Sequence, residues 1–165
     1  MIRDASYWIE HLNLLPHPEG GYYKEVYRSG EEVKRQSLPD RFPGDRSFST
    51  SIYFLLEKDN FSAFHRIKSD EVWHFYDGDP ISIYVIDTDG ILTLYKLGLS
   101  PDKGIVPQVT IPANTWFASE STGKFSLVGC TVSPGFDFND FEMADRGLLI
   151  KQLENQHKII EKFTR

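Results

Sequence analysis

An all-β antiparallel sandwich or barrel, carrying helices at its two ends, is the fold class this sequence predicts. Three observations lead there. Between Ser47 and about Val132, apolar segments recur roughly every ten residues, separated by turn signals at Asp59-Asn60, Asp89-Gly90, Gly98-Leu99-Ser100-Pro101 and Thr122-Gly123. Aromatic residues are abundant, with 12 Phe, 8 Tyr and 3 Trp, which favours strands and a cavity or interface walled by rings. Helical periodicity is confined to the ends of the chain.

The elements follow in order. "DASYWIEHLNLLPHPEGG" predicts a helix with an apolar stripe of Tyr7, Trp8, Ile9, Leu12 and Leu15, capped by Asp4 or Ser6. Pro16 and Pro18 stop it, and Gly20-Gly21 marks a turn. "YYKEVYRSG" reads as a strand. The polar segment Glu31–Asp45, with Pro39, Pro43 and Gly44, reads as a loop long enough to act as a lid. Seven strand-like segments follow, from "SFSTSIYFLLE" to "KFSLVGCTVSPG". The cleanest hairpin is "IDTDGILTLY", with Asp89-Gly90 in its turn. From about Met143 to Lys162 the pattern turns helical, with Leu148, Leu149, Leu153, Ile159 and Ile160 on apolar positions. Neither an internal repeat nor a composition break divides the chain. The expectation is one domain over 1–165: a helix, eight or nine strands, then one or two helices.

Composition excludes several classes of function. The chain has 165 residues, enough to bury a core, and a formal net charge of -6 without a basic cluster. A nucleic-acid partner is therefore not expected. The lone Cys130, inside the apolar "SLVGCTV", has no cysteine to pair with and suits a reducing, cytoplasmic setting. The first residues carry charges where a signal peptide needs an apolar run, and no stretch is apolar enough to span a bilayer.

The chemistry concentrates in "FHRIKSDEVWHFYDG", residues 64–78. His65 and Ile67 share a strand face, and Glu71 follows a short polar connection. Two adjacent strands can bring His65 and Glu71 together in a barrel mouth, either to bind a divalent metal or to act as an acid–base pair. Strict alternation places His74 on the face opposite Glu71, unless a bulge reverses it. Arg28 has the guanidinium geometry for an anionic ligand, and Tyr53 and Tyr84 offer phenols for proton transfer. Trp116 and Phe117 can form a stacking wall. "PGFDFNDFEMADR" lacks the ligand order of a calcium loop and reads as a cap over the barrel end.

These residues resemble the cupin motifs. In the first motif, His65, Glu71 and Gly78 fall on the first histidine, the glutamate and the closing glycine. The second histidine falls on Ile67 and the leading glycine on Asp59 or Asn60. In the second motif, "IPANTWF" matches at Pro112, with Asn114 at a glycine position and Phe117 at the last metal-binding histidine. Half of the usual metal cage is thus apolar, so no metal or other cofactor is expected. Longer blocks, among them "LNLLPHPEGGYYKEVYRS", "STSIYFLLE", "IPANTWFASE" and "LVGCTVSPGFDFNDFEMADR", resemble the Cupin-5 family in order. That resemblance implies a jelly-roll barrel, usually a homodimer, shaped like the dTDP-sugar epimerases that make the rhamnose-series sugar. The expectation is a small-molecule pocket, suited to a sugar or sugar nucleotide, with His65, Glu71 and Tyr53 catalytic. Arg28, His74, Trp116 and Phe117 would bind substrate. Alternatives are a non-catalytic metabolite sensor and a metal-dependent cupin enzyme with a depleted ligand set.

Overall fold

A computed structural model describes residues 3–165. The amphipathic opening forms helix α1 (Ala5–Leu12), in which the Asp4 carboxylate accepts a hydrogen bond from Tyr7 N at 2.9 Å. Asn13, in the left-handed region at φ 52°, ends it. Strands follow as β1 (Leu15–Pro16), β2 (Tyr22–Arg28), β3 (Glu32–Val33), β4 (Arg46–Ser47), β5 (Thr50–Glu57), β6 (Phe61–Arg66) and β7 (Asp70–Gly78). The barrel is completed by β8 (Ile81–Ile86), β9 (Leu92–Leu97), β10 (Gln108–Ile111), β11 (Trp116–Ser121), β12 (Phe125–Ser133) and β13 (Glu142–Met143). Helices α2 (Arg146–Gln152) and α3 (His157–Lys162) close the chain. The segment "PQVTIPANTWFASES", one strand by its sequence pattern, is divided into β10 and β11 at Pro112–Thr115, where Asn114 takes φ 62°.

The strands form a jelly roll of two antiparallel sheets. One runs β1-β2-β5-β12-β7-β10 and the other β13-β6-β11-β8-β9. Between them lies an apolar core that includes Phe54, Leu56, Trp73, Ile83, Phe117 and Val128. The outer faces are also covered, which explains why several strands read as continuously apolar. Helix α1 lies over Leu55, Phe125 and Leu127 of the first sheet, while α2 and α3 lie over Phe64, Ile86 and Trp116 of the second. Such burial contributes on the order of 1.5–3 kcal/mol per large apolar side chain, so the terminal helices belong to the fold. No helix among the described residues is long and apolar enough to cross a membrane.

The Glu31–Asp45 segment is tied down rather than free. It carries the short β3, and its Phe42 is fully buried. Arg41 Nε donates to Lys68 O at 2.7 Å, and Lys34 Nζ meets Asp45 Oδ2 at 2.8 Å.

Candidate acid–base site in the barrel

Five residues between β1 and β2, "HPEGG", build the centre of the site. His17 N donates to Gly21 O at 2.9 Å and Gly20 N to His17 O at 3.0 Å, a tight turn that needs φ values of 113° and 73° at Gly20 and Gly21. A Cβ on Gly20 would sit 2.1 Å from Phe61 O, so only glycine allows this approach. The turn tucks the Glu19 side chain into the barrel. Ala63 N at 2.8 Å and Arg165 Nη1 at 2.5 Å both donate to its backbone carbonyl and hold it there.

Strand β6 supplies the partners. Opposite Phe117 and Ser119 of β11, β6 carries one extra residue between Ser62 and His65. This bulge sets Ser62 and His65 on the same side, where plain alternation would oppose them. Ser62 Oγ donates to Glu19 Oε1 at 2.9 Å, and His65 Nε2 lies 3.0 Å from Glu19 Oε2. His17 Nδ1 lies 3.4 Å from the same Oε2.

Counting donors fixes the proton. His65 Nδ1 donates to Ala63 O at 2.7 Å, so a neutral His65 turns the lone pair of Nε2 toward Glu19. His17 Nδ1 accepts from Glu19 N at 3.3 Å, which engages its lone pair beside that carboxyl. The His65 lone pair therefore meets a carboxyl oxygen at 3.0 Å, and a proton must lie between them. Burial favours the neutral arrangement, with the proton on Glu19. It lowers His65 to about 3 and His17 to about 4, and it raises Glu19 well above the usual carboxylate range, helped by the nearby Glu71.

Glu71, at the start of β7, is the second buried carboxyl. Burial raises it to about 7, partly offset by the Cys130 thiol and the Trp73 indole. Trp73 Nε1–H approaches Glu71 without closing a well-formed hydrogen bond, and it has no other partner. These groups line a cavity of about 490 Å³ together with Tyr23, Phe54 and the segment that follows β12. That segment supplies Phe136, Phe138 and Phe141, with ring centroids 5.0–6.2 Å apart. Its anchor is a buried fork-to-fork pair, Arg46 Nε and Nη2 to Asp140 Oδ2 and Oδ1, each at 2.6 Å.

Residues 6–144 match the family described as Cupin_5: Cupin superfamily (DUF985). The chain belongs to that family. Among solved structures, this cupin superposes on protein SO0799 of Shewanella oneidensis with a TM-score of 0.90, 37% identity and 99% coverage of both chains. A hypothetical protein from Leishmania major gives a TM-score of 0.88 at 33% identity, covering 98% of this chain and 99% of that one. The uncharacterized protein YML079W of Saccharomyces cerevisiae is 28% identical, covering 93% of this chain and 81% of its own. Oxalate decarboxylase of Bacillus subtilis shares the fold alone, with a TM-score of 0.55 and 13% identity over 36% of that chain.

Of the residues expected from sequence, His65, Glu71 and Arg28 line the cavity of this cupin. Tyr53 does not. It lies on the outer face of β5, against Tyr76 and beneath α1. His74 also points away, its Nε2 3.3 Å from Thr131 Oγ1, because the bulge in the β7–β12 pairing falls after Phe75 and leaves the alternation from Glu71 intact. Trp116 faces the terminal helices with Arg66 stacked on it, and Tyr84 binds Glu120 on that same outer side. Phe117 faces inward but lies beneath the His65 ring, at 4.1 Å, in the barrel core and outside the cavity lining. His17, Glu19 and Ser62 went unread in the sequence; the only signal was an acidic residue set between two prolines and two glycines.

The cupin metal cage does not fit these residues. Ile67 and Phe117 occupy two of the motif's ligand positions, and Nε2 of His65 is engaged by Glu19. Among the described residues, no group of three or more His, Cys, Asp or Glu side chains is arranged to hold a metal ion.

Proposed function

We propose that the cavity binds a small metabolite and moves a proton on it, as an isomerase or epimerase does, with two carboxyl groups sharing the work. The observation that carries this reading is the Glu19 carboxyl facing the Nε2 lone pair of His65 at 3.0 Å, with His17 Nδ1 at 3.4 Å. It is a neutral acid stored beside a second buried carboxyl, Glu71, whose pKa near 7 suits a base at neutral pH. Environments that push two carboxyls toward different protonation states assign one as acid and the other as base.

In this scheme Glu71 takes a proton from carbon next to a carbonyl, and the C–H electron pair moves toward the carbonyl oxygen. Glu19 gives its proton to that oxygen, so the resulting enol carries no net charge. Return of the protons at the same or the neighbouring carbon completes exchange or isomerisation. His65, depressed to about 3, acts as the acceptor that orients the Glu19 proton and not as the base. Tyr23, on the cavity wall and edge-on to His17 at 4.6 Å, replaces Tyr53 as the nearby phenol. A nucleotide-linked sugar is less suited to this cavity than a small uncharged or cationic compound. Its phosphates need a free cation, and Arg28 is already held by Glu25 at 3.0 and 2.7 Å.

The test is solvent-deuterium incorporation into a panel of small hydroxy- and amino-carbonyl compounds, read by mass spectrometry. The parent protein should label a member of the panel, and Glu19→Gln should lower the rate about a hundredfold or more while remaining folded. Labelling that survives Glu19→Gln unchanged removes the acid–base role. Binding without any labelling makes the protein a sensor.

A further inference from the structure

We infer that the ligand of this cavity is a small organic ammonium ion carrying an oxygen acceptor next to its charge. The inference rests on the small-molecule reading above and names the class of molecule. Four acidic side chains line the cavity, Glu19, Glu25, Glu71 and Asp137, against a single basic one, Arg28. Arg28 already has its charge balanced within the chain. Its Nε and Nη2 are taken by Glu25, and Nη2 also reaches Phe136 O at 3.1 Å. Both imidazoles are spoken for as neutral acceptors around Glu19. With Glu19 neutral and Glu25 paired to Arg28, Glu71 and Asp137 are the acidic groups left to meet a ligand's charge, and they favour a cation over an anion.

The remaining wall is aromatic: Tyr23, Phe54, Trp73, Phe136, Phe138 and Phe141. Ring faces attract ammonium groups, and the attraction grows as water is excluded. Phe138 is 54% exposed, so the rings extend from the buried acids to the mouth. The second half of the inference comes from Trp73. Its side chain is 1% exposed, it lines the cavity, and its indole N–H has no hydrogen-bond partner. A buried donor left open costs about 1–3 kcal/mol, which an oxygen on the ligand would recover. Because this N–H lies beside Glu71, that oxygen and the ammonium group sit on adjacent atoms or nearly so. Amino alcohols and amino ketones have this form, and the latter also provide the acidic C–H that the proton-transfer scheme uses.

Choline, 3,3-dimethylbutan-1-ol and 3,3-dimethylbutanoate share one shape and differ in charge. Titrating each into the protein and following the indole N–H resonance of Trp73, assigned with Trp73→Phe, separates the possibilities. Choline should bind about tenfold more tightly than the alcohol, with the carboxylate weakest. Glu71→Gln should weaken choline severalfold and leave the alcohol unchanged. If the alcohol or the carboxylate binds as well as choline, the charge assignment is overturned and the small-molecule reading stands. If none of the three moves the resonance at tens of millimolar, the ammonium assignment falls, and the labelling panel above decides the small-molecule reading.

Discussion

Glu19 shows how a single proton can organise a site. Its carboxyl accepts from Ser62 and is flanked by acceptor nitrogens of His65 and His17. If the proton resides on Glu19, the amide of Glu19→Gln reproduces every contact. Its oxygen accepts from Ser62 and its N–H₂ donates to His65 Nε2. The expected loss at neutral pH is then below about 1 kcal/mol, measured by urea unfolding. Glu19→Ala leaves Ser62 and both imidazoles without their partner and should cost about 2–4 kcal/mol. If instead an ionised Glu19 neutralises an imidazolium, the amide would strand a buried cation at about 3–5 kcal/mol. A large loss in the Gln variant therefore refutes the neutral assignment.

At the scale of elements, three local departures from regular structure assemble the site. The glycine turn ahead of β2 tucks Glu19 inward, and the β6 bulge brings Ser62 to the side of His65. The aromatic segment after β12 closes over both, held by Arg46 and Asp140. That ion pair is almost fully buried, with side-chain exposures of 4% and 3%. Asp140→Ala should therefore destabilise the protein by about 3–5 kcal/mol in urea unfolding, because it leaves the guanidinium buried and unpaired. Replacing both partners together, as Arg46→Met with Asp140→Leu, should recover most of that loss. Failure of the double variant to improve on the single one would mean that the segment needs the pair for more than charge balance.

For the molecule as a whole, four titratable groups of the site, His17, Glu19, His65 and Glu71, shape stability against pH. Between about pH 4.5 and 6.5 the unfolded chain holds protons on His17 and His65, while the native state holds the same number on Glu19 and Glu71. Their contributions cancel, and stability is level. Above that range the unfolded histidines lose their protons while native Glu19, and Glu71 up to about 7, keep theirs. Stability then falls as pH rises. Below about pH 4.5 the unfolded carboxylates gain protons that the native state already has. The histidines, depressed in the fold, cannot follow until about pH 4 and 3, so stability falls again. Glu71 alone, raised from 4.5 to about 7, accounts for roughly 3 kcal/mol on the alkaline side. Glu71→Gln should therefore gain that amount on the parent between about pH 4.5 and 8, followed by urea midpoints. A difference that stays constant over this range would show that Glu71 does not titrate there.

Local patterns determined much of this protein. Turn signals and alternating apolar residues specify the strands, because hairpin register depends on neighbours in the chain. The helix cap at Asp4, the Asp89-Gly90 turn and the inward positions of His65 and Glu71 follow from the same rules. Tertiary structure alone decided which polar residues meet. Glu19 finds Ser62 and His65 some 43–46 residues along the chain, through a turn and a bulge that alternation does not encode. It also removed Tyr53 and Trp116 from the cavity, since helices cover the outer faces of these strands, and an aromatic strand residue has two interiors to choose from.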